Sequence, residues 1–144
     1  MLDSTSSVMP PPLSAAPPTC APPLPRAVVT GASSGIGRAL ALELVRHGVP
    51  VLAVARTAES LETLAQHSPL IATCVADLTQ CEQLDGLASQ WLTRCPDIGM
   101  LINNAGVQHD LRVDDAHYST QNMRAEVELN LLAPMVLTRA LLPH

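Results

Sequence analysis

The 144-residue sequence contains no phenylalanine and no lysine, one tryptophan (Trp91) and one tyrosine (Tyr118). A core built from it has to be aliphatic, and all eight of its basic residues are arginines. Without lysine there is no Gly-Lys-Ser/Thr phosphate loop. The arginines are not clustered and the formal net charge is −5, which argues against nucleic acid as a partner. An acidic chain holds an anionic ligand only where a local site supplies the attraction, so such a site has to be found. The four cysteines (Cys20, Cys74, Cys81, Cys95) show neither a CxxC pair nor metal-ligand spacing with histidine. Reduced, buried thiols and no bound metal are expected. The start of the chain lacks the basic and apolar regions of a signal peptide. No apolar run approaches the roughly 18 residues that span a bilayer. A cytoplasmic protein that does not enter membranes is expected.

What is present divides in two. Residues 1–25 hold eight of the thirteen prolines, mixed with Ser, Thr and Ala. Proline removes backbone donors and fixes φ, so a disordered tail is expected there. From Arg26 onward, short apolar runs alternate with helical patterns four times. "AVVTG", "VPVLAVAR", "LIATCVA" and "GMLINN" read as strands. The helices between them carry Ile36, Leu40, Leu44 and Val45, then Leu61, Leu64 and Ala65, then Leu84, Leu87, Trp91 and Leu92 as apolar stripes. Thr79 and Glu82 have the spacing of a capping box for the third helix. Residues 108–119 are loop-like, and Thr120 to Leu142 reads as a fourth helix. Continuous apolar strands separated by helices predict an α/β fold with a parallel sheet buried on both faces. Right-handed crossovers then give a doubly wound order 3-2-1-4, with a ligand crevice where the order reverses, between strands 1 and 4.

At that crevice the sequence reads "TGASSGIG". Gly31, Gly35 and Gly37 join the first strand to the first helix. A glycine-rich turn at a helix N-terminus presents free N–H groups and the positive dipole end, which suits phosphate. The plain alternative is a tight turn with one glycine for packing. A dinucleotide site reads the adenosine ribose at the end of the second strand, about 20 residues on. An acid there accepts from the 2′-hydroxyl and repels a 2′-phosphate. Here Ala55 and Arg56 fill the slot and no acid does. A guanidinium makes charge-assisted bonds to phosphate, and Ser33 and Ser34 add hydroxyls. NADP is therefore expected in preference to NAD. The alternative is that Arg56 is a solvated charge at a strand end.

"TGASSGIG", "ADL" (Ala76, Asp77, Leu78), "NNAG" (Asn103 to Gly106) and the "NLLAP" that begins at Asn130 occur in this order at suitable distances. Together they resemble the short-chain dehydrogenase/reductase family over about residues 26–144. "HDL" after "NNAG" and the stretch "ELNLLAPMVLTRALLPH" further resemble the subgroup named for the E-type oxidoreductase of D-alanyl-lipoteichoic-acid operons. The resemblance implies a Rossmann-type fold and hydride transfer between a nicotinamide and a carbonyl or alcohol carbon. It implies that Gly31, Ser33, Ser34, Gly35, Ile36 and Gly37 cradle the cofactor. Asp77 and Leu78 would sit by the adenine, and Asn104, Ala105 and Gly106 would lie along the cofactor. Asn103 would tie the fourth strand to its neighbours. The fourth helix would pack against a second subunit.

Pro134 stands inside the fourth helical pattern. It has no N–H, so the carbonyl of Asn130, four residues back, loses its helical partner and the helix bends. A water is the natural substitute donor. In the family an asparagine of this helix belongs to the active site, which implies a catalytic role for Asn130. The family's proton-transferring Tyr-x-x-x-Lys and its serine follow this helix, and the sequence ends at His144 before them. Tyr118 does not substitute, since Asn122 stands four residues on. The chain is thus expected to be the cofactor-binding half of an NADP-dependent oxidoreductase, inactive alone. The alternatives are a non-catalytic nucleotide-binding regulator or an inactive gene fragment.

Overall fold

The computed structural model describes residues 23–143. The tail expected over residues 1–25 falls almost wholly outside them. The element order is β1 (Arg26–Thr30), α1 (Gly35–Arg46), β2 (Val51–Ala55), α2 (Ala58–Ala65), β3 (Ile71–Val75), α3 (Leu84–Arg94) and β4 (Ile98–Ile102). A long helix follows in three parts: α4 (Thr120–Val127), a π turn (Glu128–Leu132) and α5 (Ala133–Leu141). The four strands are parallel, in the order β3-β2-β1-β4, as the alternation and crossover rules predict.

Neighbouring residues of β1 serve opposite faces, as a strand's period of two requires. Val29 joins Val51, Ala53 and Ile71 under α1 and α2, with Leu61 and Leu64 of α2 buried there. Val28 joins Leu52 and Val54 on the other face, under Leu84, Ala88 and Trp91 of α3 and Leu137 and Leu141 of α5. The two faces make the doubly wound sandwich. β4 is an edge strand, and its Met100 is half exposed. No helix among the described residues is long and apolar enough to cross a membrane.

Three local expectations are corrected. The buried side of α1 is Gly37 and Ala41, whereas Ile36 is 74% exposed and Leu40 also faces solvent. The helix meets the sheet closely at these small residues, with Leu42, Leu44 and Val45 packing beside them, while Ile36 lines the cleft instead. The Thr79–Glu82 capping box does not form. Thr79 gives both its N–H (3.1 Å) and its hydroxyl (2.8 Å) to the Asp77 carboxylate, a tight side-chain turn, and α3 starts only at Leu84 after a 3₁₀ turn (Cys81–Gln83). The described cysteines, Cys74, Cys81 and Cys95, are free but half-buried rather than buried.

Pro134 lies in the first turn of α5, directly after the π turn and within the long helix. The N–H of Ala133 reaches back five residues to the Glu128 carbonyl, one further than in an α-helix. A π turn thus takes up the register before the proline.

Candidate cofactor site

Where β1 and β4 diverge, a cleft of about 490 Å³ opens at the carboxyl ends of the strands. One wall is the turn into α1: Gly31, Ser33, Ser34, Gly35 and Ile36. Ser34 is the N-cap residue of α1 and makes no side-chain cap bond, so its hydroxyl is not consumed by the helix. The first N–H groups of α1 have no intrahelical acceptor and carry the positive dipole end. Asn104, Ala105 and Gly106 form the facing wall. Val54, Ala55, Ala76, Leu78 and Leu129 supply apolar surface, and Arg56 stands at the rim. No acidic residue among those described lines the cleft. Arg56 forms no ion pair with any described residue.

The approach of the two walls is set by Thr30, the one buried polar residue among those described. Its hydroxyl donates to the Ile102 carbonyl (3.2 Å) and accepts the N–H groups of Asn104 and Ala105 (both 3.0 Å). The Asn104 amide donates to the carbonyls of Thr30 (3.0 Å) and Gly31 (3.3 Å). Asn104, and not Asn103, therefore ties β4 to β1; Asn103 reaches Thr138 of α5 at 3.3 Å. Gly31 sits at φ +67°, and a Cβ there would lie 2.8 Å from the Ala105 Cα. Any other residue would force the walls apart.

Of the residues expected in the site, Gly31, Ser33, Ser34, Gly35, Ile36, Arg56, Leu78, Asn104, Ala105 and Gly106 line one cleft. Gly37, Asp77 and Asn130 are not among the lining residues. Gly37 is buried behind the wall, against Gly31 and Asn104. The Asp77 carboxylate is engaged by Thr79. The Asn130 side chain brackets Val107, accepting its N–H (2.8 Å) and donating to its carbonyl (2.7 Å). One turn earlier, Glu126 accepts the His109 N–H (2.8 Å), the His109 ring (Nδ1, 3.0 Å) and the Tyr118 hydroxyl (2.9 Å). Two side chains of one helix face thus hold alternate residues of the loop that leaves the cleft.

Thr30, Glu126, Val54 and Leu129 were not assigned roles from the sequence. Thr30 was visible as the residue just before the glycine turn. The rest had no signal beyond apolar or helical spacing.

Hydrogen bonds from the His109 N–H, then from the Tyr118 hydroxyl and the His109 ring, hold the Glu126 carboxyl below its usual range. The same contact with Glu126 pushes the Tyr118 phenol up. A carboxyl lowered in the folded state contributes its stabilisation fully above its unfolded pKa of about 4.3 and loses it as pH falls through the lower folded value. The His109 amide is expected to keep its protection against hydrogen exchange from neutral pH down through the ordinary carboxylate range and to lose it only in more acid solution. Glu126→Gln is expected to abolish that pH dependence. Protection that is flat with pH in the unsubstituted chain would show that Glu126 does not hold the loop.

The doubly wound sheet and the glycine turn at its switch point define a Rossmann-type α/β fold. The short chain dehydrogenase family model matches residues 25–144, and the chain belongs to that family. It is 36% identical over 122 residues to a very-long-chain 3-oxoacyl-CoA reductase of Aspergillus clavatus, a match covering 81% of this chain and 35% of that protein. A short-chain dehydrogenase structure from Streptomyces avermitilis superposes with a TM-score of 0.77 at 36% identity, over 83% of this chain and 44% of that one. A metagenomic short-chain oxidoreductase in complex with NADP gives a TM-score of 0.73 at 31% identity, over 83% and 55%. A 3-ketoacyl-(acyl-carrier-protein) reductase of Brucella melitensis complexed with NADH gives 0.75 at 26% identity, over 83% and 49%. The chain spans about a third to a half of the length of these relatives.

Proposed function

We propose that the chain is the cofactor-binding half of an NADP-dependent oxidoreductase that moves hydride between a nicotinamide and a carbonyl or alcohol carbon. The observation that carries the NADP reading is the cleft itself. Arg56, whose guanidinium pairs with no acid among the described residues, and the serines at positions 33 and 34 line it together with a helix N-terminus, and no described acid lines it. The donor set suits a diphosphate plus one further phosphate. When bound, the nicotinamide would supply the hydride chemistry. The chain's own part is to bind and orient.

Alone, the chain is proposed to be catalytically silent. It has no lysine, and the hydroxyl of its one tyrosine is committed to Glu126, with its pKa raised. A catalytic tyrosine of this chemistry needs the opposite shift. On this reading residues 26–144 are the amino-terminal part of a longer nucleotide-binding domain. Asn130 serves the site by holding the loop after Gly106. A homo-oligomer through the fourth helix is supported by the exposed stripe Met123, Val127, Leu131 and Met135, spaced four residues apart. The closer kinship with the lipoteichoic-acid operon subgroup is supported by His109-Asp110-Leu111 and residues 128–144 alone.

Calorimetric titration of the folded chain with NADPH and NADH tests the binding reading, and NADPH is expected to bind more tightly. A flat trace for both ends it. Nicotinamide oxidation with a panel of ketones tests the second part: no turnover is expected, and measurable turnover would overturn the assignment of silence.

A further inference from the structure

The wall of the cleft formed by Asn104, Ala105 and Gly106 is held from both of its ends. On the β1 side, the Thr30 hydroxyl takes the N–H groups of Asn104 and Ala105. On the other side the chain runs on through Val107, Gln108 and His109, outside any helix or strand. A segment without a backbone ladder needs side-chain partners for its N–H groups. Asn130 supplies one for Val107, and its Oδ1 would stand 3.3 Å from a Cβ at Gly106, so it lies against the wall itself. Glu126, one turn earlier on the same long helix, supplies another for His109.

The Glu126 carboxylate takes three donors from two separate places in the loop. Its Oε1 accepts the His109 N–H (2.8 Å) and the His109 Nδ1 (3.0 Å), and its Oε2 accepts the Tyr118 hydroxyl (2.9 Å). The side chains of His109 and Glu126 are only 27% and 24% exposed, so the contact is largely shielded from water. An ionised carboxylate only accepts, which puts the proton on His109 Nδ1 and fixes the ring toward the helix. The two rings meet with centroids 6.5 Å apart. One carboxylate thus ties both ends of the stretch 109–118 to α4, whose own start is fixed by a capping box between Ser119 and Asn122. Ties at residues 107 and 109 to one helix limit how far Gly106 can swing away from the glycine turn opposite.

We propose that Glu126 is a positioning residue of the cofactor cleft: by holding His109 it sets the separation between the Asn104–Gly106 wall and the glycine turn. It acts through the loop, since it does not itself line the cleft. The inference rests on the reading of the cleft as a nicotinamide dinucleotide site. A dinucleotide that fills the cleft touches both walls at once, so its affinity depends on their separation. A fragment that ends at the adenosine phosphates is held on the side of Arg56 and the serines, and is indifferent to the far wall.

The test compares the full chain with Glu126→Ala and Glu126→Gln by calorimetric titration. The ligands are NADPH and adenosine 2′,5′-bisphosphate, which carries the 2′-phosphate but no nicotinamide. Glu126→Ala is expected to weaken NADPH about tenfold and to leave the bisphosphate within about twofold. Glu126→Gln is expected to restore most of the NADPH affinity, because its amide oxygen accepts from His109 and its NH₂ donates to the Tyr118 oxygen. A general loosening of the fold would weaken both ligands alike, and that outcome overturns the proposal. Unchanged NADPH binding in Glu126→Ala overturns it too. If the unsubstituted chain binds neither ligand, the cofactor reading itself fails and the proposal falls with it. Should Glu126→Ala fail to fold, Tyr118→Phe takes its place. That change removes one of the three donors and is expected to weaken NADPH about threefold with the bisphosphate unchanged. Equal effects on the two ligands would again sink the idea.

Discussion

Gly37→Ala is expected to destabilise the chain by roughly 3 kcal/mol and to lower its Tm by more than about 10 °C. The added Cβ would stand 2.3 Å from the Gly31 carbonyl oxygen, 2.4 Å from the Asn104 amide nitrogen and 2.9 Å from the Gly31 carbonyl carbon. None of these can step aside. The Gly31 backbone is fixed by its own turn, and the Asn104 amide is fixed by the two carbonyls it serves. To make room, α1 has to lift from the sheet or the Asn104 tie has to break, and either opens the cleft. Cofactor binding is expected to disappear with stability, even though Gly37 does not line the cleft. Gly86→Ala is the control of opposite sign. That glycine lies within α3 with nothing within 4 Å of an added Cβ, so alanine is expected to stabilise by about 0.5–1 kcal/mol. Denaturant melts of the two variants check both. A mild Gly37→Ala would mean that the wall of the cleft is far softer than its contacts indicate.

The architecture was legible because buried parallel strands are continuous apolar runs, and right-handed crossovers leave few orders for them. The glycine turn was legible for the same reason: its position between β1 and α1, not its spacing alone, says what it faces. What escaped the sequence depended on which of several equivalent partners wins. Ile36 and Leu40 have helical spacing, yet α1 uses Gly37 and Ala41, because close approach to the sheet outweighs side-chain size. Thr79 had two local partners, Glu82 ahead and Asp77 behind, and Asp77 two residues away takes both of its donors. Asn103 and Asn104 are identical in type and adjacent, and both lie past the end of β4, where the strand pattern does not say that Asn104 turns toward Thr30 and Gly31. The π turn before Pro134 answers a missing donor in a way that spacing does not announce. The grip of Glu126 and Asn130 on residues 107 and 109 is long-range chemistry across an irregular loop, where periodicity carries no information.

Arg56→Ala is expected to weaken NADPH binding about 10- to 100-fold and to leave NADH binding nearly unchanged. A hydrogen bond to a charged group contributes about 1.5–3 kcal/mol, and each 1.4 kcal/mol is a factor of ten. Arg56→Glu should go further and reverse the preference, because a carboxylate at this strand end accepts from a ribose 2′-hydroxyl and repels a 2′-phosphate. The surroundings permit a clean reading. Arg56 is exposed, forms no ion pair with any described residue, and follows Ala55 at the end of a fully buried strand, so removing its side chain disturbs no packing. Exposure also predicts a salt effect. The NADPH preference should shrink as ionic strength rises, since a solvent-facing charge pair is screened within about 8–10 Å at physiological salt. Titrations of both cofactors at two salt concentrations separate the cases. If Arg56→Ala weakens NADPH and NADH equally, the guanidinium touches the shared diphosphate, and the extra phosphate is not what this cleft selects. If neither changes, Arg56 is only a solvated charge, and the serine hydroxyls and the amides of α1 carry the anion alone.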